Sequence, residues 1–210
     1  GFVAGPGRDG GAVQLSGDRT QGRWKGLPPV AEGGEAFRWI LGHHRLSILD
    51  LSENGHQPMG DATGRYWIVL NGEIYNYREL RDELGAEGVD FRSQTDTEVA
   101  LQAFLKWGEG CFGRFNGMWA MALYDAADRR LVLSRDRFGV KPLYYHLGED
   151  GLLFASEVRF FRPLLRLSVD QGVAAEYVAA CHLDHRPETL YREIRQLPPA
   201  HYAVYDGLGQ

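Results

Sequence analysis

Short connections join strands that carry apolar side chains at consecutive positions, and this combination most narrows the folds open to the chain. Residues 66–70 read Tyr66-Trp67-Ile68-Val69-Leu70, residues 118–124 contain no charged side chain, and residues 131–134, 143–145 and 152–155 are similarly apolar. Connections this short leave no room for crossover helices, so sequence neighbours are expected to pair antiparallel. An antiparallel sheet with one wet face alternates apolar and polar residues, and these strands do not. Both faces must therefore be covered. The pattern implies an α+β sandwich of two stacked antiparallel sheets with helices on the outside.

Local signals fill in the order of elements. Asn71-Gly72, followed by Glu73-Ile74-Tyr75, predicts a tight hairpin after the 66–70 strand. Residues 2–4 start a strand that Gly5-Pro6-Gly7 breaks; residues 36–46 and 201–205 are further strand candidates. The stretch through Gly34 and residues 51–63 read as loop. Asn76 with Glu79, and Thr95 with Glu98, predict capping boxes for two helices. The first carries the stripe Tyr77, Leu80 and Leu84 and is capped by Gly85; the second carries Val99, Leu101, Phe104, Leu105 and Trp107 and is closed by Gly108. Residues 157–165 and 171–180 add two helical segments. With no repeat, low-complexity tract or linker, residues 1–210 read as one domain.

Composition excludes several classes of function. A chain of 210 residues with 44% hydrophobic content can bury one substantial core. Lys plus Arg number 23 against 28 Asp plus Glu, a net charge of −5, which opposes a nucleic-acid groove or a polybasic membrane face. No apolar run approaches the roughly 18 residues of a membrane-spanning helix. The two cysteines, Cys111 and Cys181, are too few for a disulfide scaffold or a thiolate zinc site and fit a reducing, cytoplasmic compartment.

Single motifs carry little. Gly5-Pro6-Gly7-Arg8-Asp9-Gly10 matches a dinucleotide-binding spacing, but Pro6 removes a backbone donor and no amphipathic helix follows. His43 and His44 are adjacent on a strand and point to opposite faces, so with His56 they are not expected to hold a metal. Cys111 and Cys181 read as small apolar residues. Asn71-Gly72 alone makes a hairpin, Asp96 alone suits a first helical turn, and Arg45 alone is a strand-surface charge.

Longer words change that reading. They are Gly42-His43-His44-Arg45-Leu46-Ser47-Ile48, Gly55-His56-Gln57-Pro58-Met59, Asn71-Gly72-Glu73-Ile74-Tyr75-Asn76 and Thr95-Asp96-Thr97-Glu98. Arg114-Phe115-Asn116-Gly117-Met118-Trp119-Ala120, the block from Ser134-Arg135-Asp136 through Pro142-Leu143-Tyr144-Tyr145, and Phe154-Ala155-Ser156-Glu157 follow in order. Through them the chain resembles the glutaminase domain of glutamine-hydrolysing asparagine synthetases, which are class II, N-terminal-nucleophile amidotransferases. The resemblance implies a four-layer αββα fold and hydrolysis of L-glutamine through a γ-glutamyl thioester. It implies that Arg45 binds the substrate carboxylate and Asp96 its ammonium. The stretch Leu46, Ser47, Ile48 and Leu49, together with Glu73, completes the pocket, and Asn71 and Gly72 form the oxyanion hole.

The same resemblance implies a cysteine nucleophile at the mature N-terminus, with its own α-amine as base. The family opens Cys-Gly-Ile-x-Gly-Phe, and Gly1-Phe2 matches the end of that word, which sets the cysteine four residues ahead of Gly1. The 210-residue chain by itself is therefore expected to keep the pocket but not to hydrolyse glutamine. A C-terminal synthetase domain, lying outside these residues, is the expected partner and the expected seat of ATP and magnesium; no cofactor or metal is expected in this domain. Homodimers are common in the resembling family. The rivals are the glutaminase half of a purine or amino-sugar amidotransferase, a relative with an acceptor other than aspartate, and a domain that lacks a nucleophile and serves only as support.

Overall fold

The structure, a computed structural model, describes residues 2–6, 13–15, 37–44, 53–149, 151–182 and 185–206. Its strands are β1 (Phe2–Pro6), β2 (Val13–Leu15), β3 (Phe37–Gly42), β4 (Met59–Gly60), β5 (Tyr66–Ile74), β6 (Gly117–Asp125), β7 (Arg130–Arg135), β8 (Tyr144–Gly148), β9 (Gly151–Ala155), β10 (Arg195–Gln196) and β11 (Tyr202–Tyr205). The helices are α1 (Tyr77–Ala86), α2 (Asp96–Trp107) and α3 (Gln171–Ala180). None is long and apolar enough to cross a membrane.

A five-stranded antiparallel sheet, in the order β11-β7-β6-β5-β4, forms the centre. Its side chains sort strictly by period two. Ile68, Leu70, Met121, Leu123 and Val132 face one way and pack against Leu80, Leu84, Val99, Ala103 and Phe104 of α1 and α2. Trp67, Val69, Ala120, Ala122, Tyr124, Leu131 and Leu133 face the other way and meet Leu41, Tyr145, Leu152 and Phe154. That second layer has two hydrogen-bonded pieces, β2-β1-β3 and β10-β8-β9. On β8, Tyr145 faces the central sheet, while its neighbour Tyr144 lines a cavity shared with Val173 of α3, the outer layer on that side. The consecutive apolar residues of β5, β6 and β7 thus have the meaning read from the sequence: strands covered on both faces.

Five local expectations are corrected. Asn71-Gly72 makes no hairpin. β5 runs through it without a break, in register with β6 from Tyr66↔Asp125 to Ile74↔Gly117, because that long partner outweighs local turn preference. Asn76 starts α1 without capping it; its side chain instead accepts from Asn116 N–H at 2.9 Å and donates to the Arg114 carbonyl at 3.0 Å. Residues 157–165 form only a 3-10 turn, Val158–Phe161; Arg162 still has helical dihedrals, and Pro163, which has no N–H to donate, interrupts the hydrogen-bond ladder after it. Gly5 and Pro6 stay within β1, and residues 13–15 of the presumed loop form β2. By contrast, Thr95 caps α2 through a bond from Glu98 N–H at 3.2 Å, and α3 spans residues 171–180 as read.

Although β7 and β8 are sequence neighbours, they do not pair. The loop between them carries the chain from one sheet to the other, and two adjacent buried charges hold it. Asp136 is fully buried and accepts four backbone N–H bonds, from Phe138 and Val140 at Oδ1 and from Trp119 and Lys141 at Oδ2. Arg135 donates to the carbonyls of Lys141, Gly139 and Leu197 and to the Gln196 side chain. A carboxamide at position 136 would point an NH2 group at one of those donor pairs. Asp136→Asn is therefore expected to lower the unfolding free energy by about 3–5 kcal/mol, read from urea denaturation.

Candidate active site

The site is built around the last four residues of β5. Gln57 acts as a one-residue strand beside Leu70: its Oε1 accepts from Leu70 N–H at 2.6 Å and its Nε2 donates to the Leu70 carbonyl at 3.1 Å. Gln57 Nε2 also reaches Thr97 Oγ1 at 3.3 Å, and His43 Nε2 lies 3.1 Å from the same Leu70 carbonyl. At the strand's far end, Asp96 Oδ2 accepts from Ile74 N–H at 2.9 Å. The N-terminus of α2 is therefore tied to β5 at Leu70 and at Ile74. Asn71, Gly72 and Glu73 lie between these two anchors.

Gly72 has φ +147°, a conformation that side chains rarely adopt. A Cβ there would stand 2.0 Å from the Met118 carbonyl oxygen and 2.7 Å from Trp119 Cα. Gly117, across the ladder, is equally confined, since its Cβ would stand 2.2 Å from the Glu73 carbonyl oxygen. Asn71 alternates with Leu70 and so points between the sheets, where its Nδ2 donates to Ser156 Oγ at 3.3 Å, just past the end of β9. Ser156 and Gln57 were readable only as parts of longer words; nothing in their local pattern marks them as supports of this strand.

Asp96 is 7% exposed. Burial is the largest influence on its carboxyl and lifts it above the ordinary carboxylate range; N–H bonds from Ile74 and Thr97 act in the opposite direction, and the nearby charge of Glu73 adds to the rise. Among the described residues no cation pairs with it. Arg45, Leu46, Ser47, Ile48 and Leu49 lie outside the described residues, so the structure brings together Asn71, Gly72, Glu73 and Asp96 from the expected set. Cys111 is fully buried, and burial pushes its thiol well up, which rules out a nucleophilic role. Cys181 is exposed at the end of α3. His43 is half-buried and His44 exposed; both lie just past the end of β3 and not on the strand as the sequence suggested.

A glycine-dependent strand thus lies close to a buried carboxylate within a double-sheet sandwich. Comparison with known proteins defines it further: the chain belongs to the glutamine amidotransferase domain family, whose pattern matches residues 33–209. Asparagine synthetase (glutamine-hydrolyzing) 3 of Bacillus subtilis is 36% identical over 179 residues, covering 80% of this chain and 28% of that protein. Asparagine synthetase (glutamine-hydrolyzing) 1 of the same organism is 38% identical over 160 residues, covering 76% and 25%. The chain thus spans about a third or less of the length of the asparagine synthetases it matches. The B. subtilis glutamine phosphoribosylpyrophosphate amidotransferase superposes with a TM-score of 0.57 at 21% identity, over 77% of this chain and 36% of that one, and so shares the fold.

Two outcomes test this geometry. Gly72→Ala is expected to destabilise the fold by about 3 kcal/mol or more, because strained backbone and a clash with the Met118 carbonyl fall at one position. For Asp96 the folded carboxyl lies above its unfolded value, so its contribution to stability is full below about pH 4 and is lost as pH rises through the folded value. Asp96→Asn keeps an acceptor for Ile74 N–H. It is expected to melt at or above the wild-type temperature at pH 7, with the difference closing towards pH 4.

Proposed function

We propose that this chain is the glutaminase domain of an asparagine synthetase-like amidotransferase, binding L-glutamine and releasing its amide as ammonia. The observation that carries this reading is the buried Asp96 carboxylate, unpaired by any cation among the described residues and bonded to Ile74 N–H, two residues beyond Gly72 on the same strand. A buried carboxylate of this kind is stabilised by a ligand cation, and the ammonium of a free amino acid supplies one. Arg45 takes the α-carboxylate bidentately, and the backbone of Leu46, Ser47, Ile48, Leu49 and Glu73 completes the cradle. The substrate amide then reaches the Asn71 side chain and the Gly72 N–H, which stabilise the oxyanion of the tetrahedral intermediate.

The nucleophile in this proposal is an N-terminal cysteine thiol. It attacks the amide carbon, its α-amine carries the proton to the departing ammonia, and water then cleaves the γ-glutamyl thioester to glutamate. The direction of β1 supports this. Phe2 pairs with Gly42, and the next residue of that neighbouring strand, His43, touches the Leu70 carbonyl one residue before Asn71. Residues joined ahead of Phe2 in the same strand therefore run towards the site. Ammonia passes to a separate C-terminal synthetase domain, which uses ATP and magnesium to amidate aspartate in the cytoplasm.

Calorimetric titration of the 210-residue chain with L-glutamine is expected to show binding at one site, weakened about 10- to 100-fold in Arg45→Ala and in Asp96→Asn. Adding Cys-Gly-Ile-Val ahead of Gly1, with the initiator methionine removed, is expected to confer glutaminase activity. Ala in place of that Cys should confer none. Failure of glutamine to bind either chain would overturn the proposal.

A further inference from the structure

Away from the β5 site, three side chains at the end of α3 converge on one point. Glu176, His182 and His185 each offer a ligand atom, and these atoms all lie within 4.8 Å of one another. Glu176 sits in the last turns of α3. Cys181, in the left-handed conformation at φ 53°, ends the helix and turns the chain so that the two histidines come back beside it. His185 Nε2 is 3.1 Å from Glu176 Oε1, and the two imidazole rings are 5.4 Å apart, centre to centre. Tetrahedral ligands about 2.0–2.1 Å from an ion stand roughly 3.3 Å apart, so the pair Glu176–His185 is already at ligand spacing, and a ligand atom of His182 lies within 4.8 Å of both.

We propose that Glu176, His182 and His185 form a binding site for a divalent transition-metal ion of the zinc type. Two imidazoles and one carboxylate are a borderline donor set, suited to zinc and its neighbours and not to magnesium or calcium, which take oxygen ligands. Arg186 has a defined part here. Its Nη2 holds the other carboxylate oxygen, Glu176 Oε2, at 2.5 Å, so Oε1 is left directed at His185. A ligand oriented in this way by an outer partner is the usual arrangement of protein metal sites. The three protein ligands leave a fourth position open. The two histidines also line a cavity of about 250 Å³ whose wall includes Arg159, Arg162, Glu188 and Tyr191, which leaves room for a fourth ligand.

Zinc chloride titrated into the chelator-free chain should bind with one-to-one stoichiometry and raise the melting temperature, because the ion joins α3 to the segment leading into β10. His182→Ala and His185→Ala should each weaken binding about a hundredfold, and Arg186→Met about tenfold. Cobalt should give visible absorption bands that the histidine variants lose, while magnesium should have no effect. Far-UV circular dichroism confirms that each variant is folded, and Glu176→Gln provides a near-isosteric third variant. Unchanged zinc affinity in the histidine variants would place uptake at other histidines and overturn the site. Absence of binding by the wild-type chain would reduce the cluster to an ion-pair network. Glutamine titrations of the same variants should match the wild type, so the outcome here is separable from that of the β5 site.

Discussion

Two opposite charges, side by side in sequence and both buried, hold the sheets of this domain together. Asp136 and Arg135 do not neutralise each other by pairing. Each is spent on backbone: the carboxylate on four N–H groups, the guanidinium on three carbonyls and a glutamine oxygen. A tight loop crossing between two apolar layers leaves donors and acceptors that water cannot reach, and an ion satisfies several of them at once. Because Trp119 N–H is among those donors, the same carboxylate fixes β6 opposite Gly72. The active strand is thereby linked to the crossing between layers.

The central sheet has a second task beyond packing. β5 is clamped from the helix side at Leu70 and Ile74 and from the strand side by β6, so the three residues between have little freedom to move. That rigidity suits the oxyanion-hole role proposed for Asn71 and Gly72, because preorganised donors need no reorganisation when charge develops on a substrate. In this architecture a helix N-terminus, a glutamine acting as a short strand and a pair of glycines position the donors jointly.

Much of this was legible in the sequence, and the limits of legibility have physical causes. Consecutive burial on β5, β6 and β7 reports that both faces are covered, so the double sheet follows from hydrophobic pattern alone. Thr95 and Glu98 act locally, and the start of α2 could be read to the residue. Asn71-Gly72 misled for the opposite reason: glycine there answers a neighbouring strand forty-six residues on, and local turn statistics carry no trace of it. Asn76 likewise serves residues 114 and 116 and not its own helix. The contacts of Glu176 with His185 and Arg186 follow a left-handed residue at Cys181, which periodicity does not reveal.

Gly72 and Gly117 act together, each leaving clear the space that a carbonyl of the other strand occupies. Neither can acquire a side chain to relieve the other, since each clash is with main chain. Compensating pairs of mutations, the usual route by which a sheet drifts, are closed at this point. Under the proposed function, a change of amide substrate then falls to the rim around Glu73 and Asp96 and leaves the strand beneath it unchanged. Directed evolution of this domain will find its productive variation in the same place.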